Sequence, residues 1–271
     1  SKKHLEYLAI NEKVGGPKDI ESLFSTEEIK ADFPDYEIIE LEENGKKLIT
    51  LDLSSTANRS DSLSIAGIAR EMSTILDKPY KFSKYLEQTS NWEDKFSNYF
   101  VSSIKQTETS IFLAITVENL KNTNPPIWLT NKLKTCGIIP QNNLLDYKSF
   151  ILLETGYPME FYDLYQIQSK VNSMEFDLTL TNKIKNQKFI GSNNIEYNLT
   201  NSSLLLKANN EVISIAGLIP EMQFTSTNET KTLLIEAAVF NSSFIRKQSR
   251  NLGLRTDRSA RYEKSIKNTD L

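Results

Sequence analysis

An α+β fold, with mixed and antiparallel sheets and helices packed on them, is what this sequence predicts, arranged as a smaller N-terminal part and a larger C-terminal domain. Three observations carry the prediction. Short apolar runs alternate between residues 174 and 240 in the manner of antiparallel strands. Several apolar-periodic stretches carry helix start and stop signals, such as Pro125-Pro126 before Trp128 and Gly253 after Leu252. At 271 residues, 39% hydrophobic and 25% charged, the chain is long enough to bury a core in one large or two modest domains.

Taken in order, Asp19–Asp32 reads as a short amphipathic helix. Two strands follow, Glu37–Leu41 and Lys47–Leu53, joined at Asn44-Gly45, a dipeptide suited to a tight hairpin. Asp61 is expected to cap a helix running to Leu76, with Asn58-Arg59-Ser60 as its entry turn and Gly67 allowing another element to approach. Residues 77–95 read as a connection, and the domain boundary falls there: 1–82 form the smaller part and 83–271 the larger.

The larger part opens with a strand, Ser110–Glu118, and a helix from Pro125-Pro126 to Gly137 with Trp128, Leu129, Leu133 and Cys136 on one face. A second helix spans Asn143–Glu154 and ends at Gly156, and Tyr157–Leu164 has turn chemistry. The clearest strands after it are Glu175–Thr181, Leu204–Lys207, Val212–Leu218 and Leu233–Phe240. Two basic helices close the chain, Ser242–Leu252 and Asp257–Lys267, the latter with Asp257 as its expected cap.

Composition removes several classes of chemistry. With one cysteine, Cys136, and one histidine, His4, the chain lacks the ligands for a Cys/His zinc site and the pair for a disulfide, and no metal site is expected. Neither GxGxxG nor GxxxxGK[ST] occurs, so nucleotide binding by this chain is not expected, nor is a resident cofactor. No apolar run reaches the roughly 20 residues of a spanning helix, and no apolar leader follows Ser1-Lys2-Lys3-His4, so a cytoplasmic protein with no membrane partner is expected.

Arginine is distributed unevenly. Lys+Arg total 32 against 35 Asp+Glu, yet the seven arginines fall in two blocks, Arg59 with Arg70, and Arg246, Arg250, Arg255, Arg258 and Arg261 together. Lysine serves everywhere else. Guanidinium in blocks suits planar, multi-donor contacts, and arginines at helical spacing beside Tyr262 suit phosphate and base contacts, so Arg246, Arg250, Arg255 and Arg261 are candidate RNA contacts. The plainer reading of the same run is a solvated helix face.

Four ordered segments carry a resemblance: Leu51 to Glu71, Pro126 to Ile138, Leu152 to Leu164, and Glu236 to Lys264. In order and spacing they resemble the beta subunit of bacterial phenylalanyl-tRNA synthetase, over about residues 48–271. The resemblance implies the tail of that subunit's N-terminal region followed by its editing module, which hydrolyses tyrosine wrongly esterified to the tRNA for phenylalanine. It also implies partners, tRNA and an alpha subunit in a heterotetramer, with ATP and magnesium bound by the alpha subunit. A pocket shaped for phenylalanine discriminates against an added hydroxyl by only about 10²-fold, which makes a second, phenol-reading site useful.

Under the resemblance, the editing-pocket positions are Glu236, Thr256, Ser149, Arg258, Pro220 and Glu221, with Glu160 the candidate catalytic group. Glu236 stands at the position that accepts the phenolic O–H, and Thr256 also matches the family pattern. Glu160 stands for a histidine, Ser149 for an asparagine, Arg258 for a small alanine, and Pro220-Glu221 for a Gly-Gly pair. Three readings follow. The fragment keeps a scaffold and tRNA-associated role with a degenerate pocket; or it is an active esterase with Glu160 as general base; or it is a non-catalytic RNA-binding module. The first is favoured, because four departures surround one pocket while the scaffold segments remain.

Overall fold

A computed structural model of the chain describes residues 6–9, 38–43, 46–51, 60–79, 101–105, 107–120, 124–183 and 187–266. The expected helix at Asp19–Asp32, Asn58-Arg59, and residues 80–95 of the expected connection lie outside them. The chain divides into two compact units, Ser1–Trp92 with Pro125–Gly156, and Glu93–Asn124 with Tyr157–Leu271. The helical stretch 125–156 therefore groups with the N-terminal residues rather than with the strands that flank it in sequence.

In the first unit β1 (Glu6–Ala9), β2 (Ile38–Glu43) and β3 (Lys46–Leu51) form an antiparallel sheet in the order β1-β3-β2. β2 and β3 pair antiparallel as the expected hairpin strands, with Glu43 opposite Lys46, while the expected turn residues Asn44-Gly45 lie outside the described residues. Helix α1 (Ile65–Ile75) starts later than the sequence predicts. Asp61–Leu63 form a 3-10 turn, and Ser64, extended at φ −143°, is the cap: its hydroxyl accepts from Gly67 N at 2.9 Å and donates to Asp61 O at 2.8 Å. Asp61 instead supplies a carbonyl, and that carbonyl explains Gly67: a Cβ there would lie 1.8 Å from Asp61 O.

Helices α2 (Ile127–Thr135) and α3 (Leu144–Thr155) follow their expected signals. Leu129, Leu133 and Cys136 pack with Leu153 of α3, and Trp128 meets Phe150 edge-on at 5.4 Å. Asn143 caps α3, accepting from Leu145 N, and Gly156 closes it at φ +79°, a conformation that favours glycine.

The second unit holds a five-stranded sheet, a three-stranded sheet and a hairpin. The first is ordered β12-β11-β10-β7-β4, from β4 (Val101–Lys105), β7 (Phe176–Thr181), β10 (Leu205–Ala208), β11 (Glu211–Ile215) and β12 (Ile219–Pro220). β4 runs parallel to β7, which makes this sheet mixed, and a strand at Val101–Lys105 is not among those the sequence predicts. The second is β5-β13-β6, from β5 (Thr109–Val117), β6 (Met159–Asp163) and β13 (Leu233–Phe240). Residues 159–163 are thus a strand, not the turn expected over Tyr157–Leu164. Asp163 ends it by capping α4 (Leu164–Val171), accepting from Gln166 N, and its other oxygen accepts from Thr230 Oγ1 at 2.6 Å. β8 (Gln187–Ile190) and β9 (Glu196–Leu199) pair as the hairpin.

Among the described residues the core of this unit is a cluster that includes Phe112, Tyr162, Ile167, Phe176, Leu205, Ile213, Phe240, Ile245 and Tyr262. Helix α5 (Ser242–Leu252) ends at Gly253, φ +60°, as expected. It is fastened by a buried amide: Gln248 Oε1 accepts from Leu204 N and its Nε2 donates to Ala216 O. Helix α6 (Asp257–Glu263) is capped by Thr256, one residue before the expected Asp257, because Thr256 Oγ1 accepts from Ser259 N while Ser259 Oγ accepts from Thr256 N.

Candidate functional site

The site grows out of strand register. On the antiparallel pair β13–β6, Glu236 lies directly opposite Glu160, and on the pair β13–β5 it lies opposite Ala114. Opposed residues share a face, and so do residues two apart on one strand, so Glu160, Glu236 and Tyr162 point the same way. That face is the core side, since Ala114, Tyr162, Leu234 and Ala238 all belong to the core cluster. Two carboxylates are thereby set side by side in the interior: Glu160 is 2% exposed and Glu236 1%.

Helix α6 supplies the counter-charge. Its one buried face brings Arg258, 6% exposed, between the two acids. Arg258 Nη1 donates to Glu160 Oε2 at 3.3 Å, and Nη2 donates to Glu236 Oε1. Its guanidinium also lies 5.8 Å from the centre of the Tyr262 ring. Tyr162 donates its phenolic proton to the other oxygen of Glu236, Oε2, at 2.5 Å. Ser214 Oγ lies 3.0 Å from the same phenol oxygen. With one phenol proton, already committed to the carboxylate, the serine hydroxyl is the donor of that second bond.

The charges follow from these contacts. Burial opposes the Arg258 charge, but Glu236 foremost, then Tyr262 and Glu160, holds the guanidinium well above its ordinary range. Burial, reinforced by the Glu236 charge, pushes the Tyr162 phenol well up, so it stays protonated and donating. Burial does the same to Tyr262, whose hydroxyl donates to Pro158 O at 3.3 Å. The cluster is an ion pair plus one further carboxylate, tied together by fixed donors.

The other expected pocket positions fall as follows. Thr256, two residues before Arg258, donates to Leu218 O at 3.2 Å while capping α6, so its hydroxyl is engaged on both sides. Pro220 lies on β12, an edge strand, where a missing N–H costs no ladder bond; its carbonyl accepts from Ser192 N. Glu221 bridges to Gly191, its carboxylate accepts from Gln223 Nε2 at 2.8 Å, and partial burial raises its pKa. Ser149 lies on α3, in the other compact unit.

Of the candidate RNA contacts, Arg246 and Arg250 are exposed on α5 and Arg255 is exposed beyond it. Arg246 Nη2 donates to Glu263 O, and Arg255 lies 3.8 Å from the Glu263 carboxylate. Arg261 is different: it is buried and Nη1 donates to Asp257 O, one turn back, so it is not a surface contact. Tyr262, expected beside the arginines as a base-contacting ring, is fully buried against Phe240. Both sit on the inward face of a seven-residue helix whose periodicity a charge count does not reveal. Tyr162 and Ser214 were not foreseen; the signal for Tyr162 is its spacing of two from Glu160, visible only once residues 159–163 are read as a strand.

Among the described residues no group of three or more His, Cys, Asp or Glu side chains is arranged to hold a metal ion, and no helix is long and apolar enough to cross a membrane. Residues 108–271 match the B3/4 domain family. The chain is 48% identical over 235 residues to the chloroplastic phenylalanine–tRNA ligase beta subunit of Phaeodactylum tricornutum, covering 87% of this chain and 33% of that one. It is 32% and 30% identical, each over 217 residues, to the phenylalanine–tRNA ligase beta subunits of Carboxydothermus hydrogenoformans and Bacillus subtilis, covering 80% of this chain and 26% of each relative. The chain thus spans a third or less of the length of these relatives. A solved N-terminal fragment of the phenylalanyl-tRNA synthetase beta subunit from Pyrococcus horikoshii matches at 17% identity and a TM-score of 0.38, over 93% of this chain and 74% of that one.

Proposed function

Since this chain belongs to the B3/4 domain family, we propose that it is a structural, tRNA-associated module of a phenylalanine–tRNA ligase beta subunit whose editing-type pocket is closed and does not hydrolyse mischarged tRNA. One observation carries the reading: Arg258 spans Glu160 and Glu236 in the interior, at the position the resemblance gives to a small residue. A general base needs an unshared lone pair aimed at a water within about 3 Å. Glu160 is 2% exposed, with Oε2 accepting from the guanidinium and Oε1 from Phe161 N, so both oxygens are engaged and burial closes the approach of a water.

The module's place is within a larger assembly, with an alpha subunit that binds ATP and magnesium and completes aminoacylation. Its tRNA association is assigned to the outward face of α5, where Arg246 and Arg250 sit one turn apart with Lys247 beside them, and to Arg255. The chloroplastic name of the 48% identical relative favours a plastid setting over the cytoplasm. The test is deacylation of tyrosine from the phenylalanine-specific tRNA by the purified chain: hydrolysis no faster than buffer is expected, and rapid hydrolysis that disappears in Glu160→Ala establishes the esterase instead.

A further inference from the structure

Closure by Arg258 accounts for one oxygen of Glu236. The other is held by Tyr162, and nothing in the charge balance of the cluster demands this: a phenylalanine would fill the same strand position and leave the guanidinium bridging both acids. What Tyr162 adds is a phenol, fully buried, donating to the same carboxylate that the resemblance assigns to reading a phenol. The register makes the contact local. Tyr162 lies two residues along β6 from Glu160, so it is the diagonal neighbour of Glu236, within reach of a long side chain. Ser214, from β11, gives the phenol oxygen a second hydrogen bond at 3.0 Å.

We propose that Tyr162 is an internal occupant of the phenol-accepting position of Glu236, so that the pocket is a self-liganded site, refusing an external phenol through Tyr162 as well as through Arg258. This rests on the closed-pocket reading above and goes a step further: removing Arg258 frees only Oε1 of Glu236, while Oε2, the oxygen a phenol beside Ser214 would reach, is still held by Tyr162. Removing both occupants leaves a buried carboxylate acceptor with Ser214 beside it, and the ligand that such a site takes is a para-substituted phenol of the size of p-cresol. An apolar isostere, toluene, leaves the acceptor unpaired and is refused.

The experiment measures p-cresol and toluene binding by calorimetry to the full chain and two variants. In both variants Glu160→Gln accompanies Arg258→Ala, so that a pair of unscreened carboxylates is not left behind; the second adds Tyr162→Phe. Expected are no p-cresol binding to the unaltered chain and a preference for p-cresol over toluene that is at least tenfold greater in the triple variant than in the double variant. Equal preference in the double and triple variants, or none in either, overturns the role of Tyr162. Binding of p-cresol to the unaltered chain overturns the closed-pocket reading itself.

A variant that does not fold leaves a second measurement on the unaltered chain. With tyrosine labelled at the ring carbon bearing oxygen, the resonance that vanishes in Tyr162→Phe is expected to stay protonated beyond the ordinary phenol range, as that of Tyr262 does, and to shift in Glu236→Gln. Titration of the Tyr162 resonance at an ordinary phenol pH, or no response to Glu236→Gln, overturns the proposal.

Discussion

Replacing Arg258 by methionine is the perturbation whose size the structure specifies most closely. Methionine keeps much of the volume but leaves Glu160 and Glu236 facing each other across β6 and β13 with the guanidinium gone. Removing one partner from a buried ion cluster costs about 3–5 kcal/mol. An independent estimate comes from protonation. Two adjacent buried carboxylates cannot both ionise, so the folded variant retains a proton that the unfolded chain, with a glutamate pKa of about 4.3, has released. Each pH unit above that value then removes about 1.4 kcal/mol, or about 3.7 kcal/mol at pH 7. The sign is fixed: the folded state binds more protons, so stability falls as pH rises. Urea unfolding at pH 5 and pH 7 is the assay. The variant should lie within about 1–2 kcal/mol of the unaltered chain at pH 5 and 3–5 kcal/mol below it at pH 7, and Glu160→Gln added to it should recover most of the deficit. A loss under about 1 kcal/mol that is the same at both pH values refutes a buried guanidinium between the acids.

Four further outcomes follow from the same geometry. Because burial raises the phenols of Tyr162 and Tyr262, their contribution to stability is complete below about pH 10 and is lost as pH rises beyond it, at about 1.4 kcal/mol per pH unit for each; denaturation at pH 9 and pH 11 measures this, and equal stability at the two values contradicts it. Thr256→Ala removes both the α6 cap and the bond to Leu218 O and should cost about 1–2 kcal/mol in urea unfolding, with Thr256→Ser recovering most of it. Gly156→Ala puts a Cβ 3.0 Å from Ser64 Cβ at φ +79° and should lower stability by at least about 1 kcal/mol; an unchanged urea midpoint argues against this α3 terminus. Lys247→Glu with Arg250→Glu should weaken tRNA binding and reduce the salt dependence of log K by about 2, whereas an unchanged slope removes α5 from the RNA surface.

The fold was legible where local chemistry decides it. Leu233–Phe240 and Ser242–Leu252 emerge at their expected ends, because an apolar run terminates in Asn241 as a cap and an amphipathic helix terminates in Gly253. Residues 159–163 do not announce a strand because Met-Glu-Phe-Tyr-Asp mixes acids with aromatics, and Glu160 is inward only by virtue of a guanidinium that arrives nearly 100 residues later. The parallel β4–β7 pair is likewise non-local: its strands are about 70 residues apart and neither announces the other. Asp61 and Asp257 looked like caps by residue type, yet a neighbouring Ser64 and Thr256 take the role because their backbones are extended at that point.

The site divides the same way. That Glu160, Glu236 and Arg258 belong together came from family resemblance, since no spacing in the chain links residues 160, 236 and 258. That they neutralise one another came only from the register of β6 and β13 and the inward face of α6. Buried Arg261 and Tyr262 show the limit of charge counting: basic residues on a short helix are divided between solvent and core by a 3.6-residue period, and α6 turns Arg258, Ser259, Arg261 and Tyr262 inward.

A crystal of the full chain soaked in tyrosine puts the closed pocket to its plainest trial. The account predicts Arg258 between Glu160 and Glu236 with no amino acid beside them; a tyrosine whose phenol rests on Glu236, with the guanidinium swung aside, contradicts it.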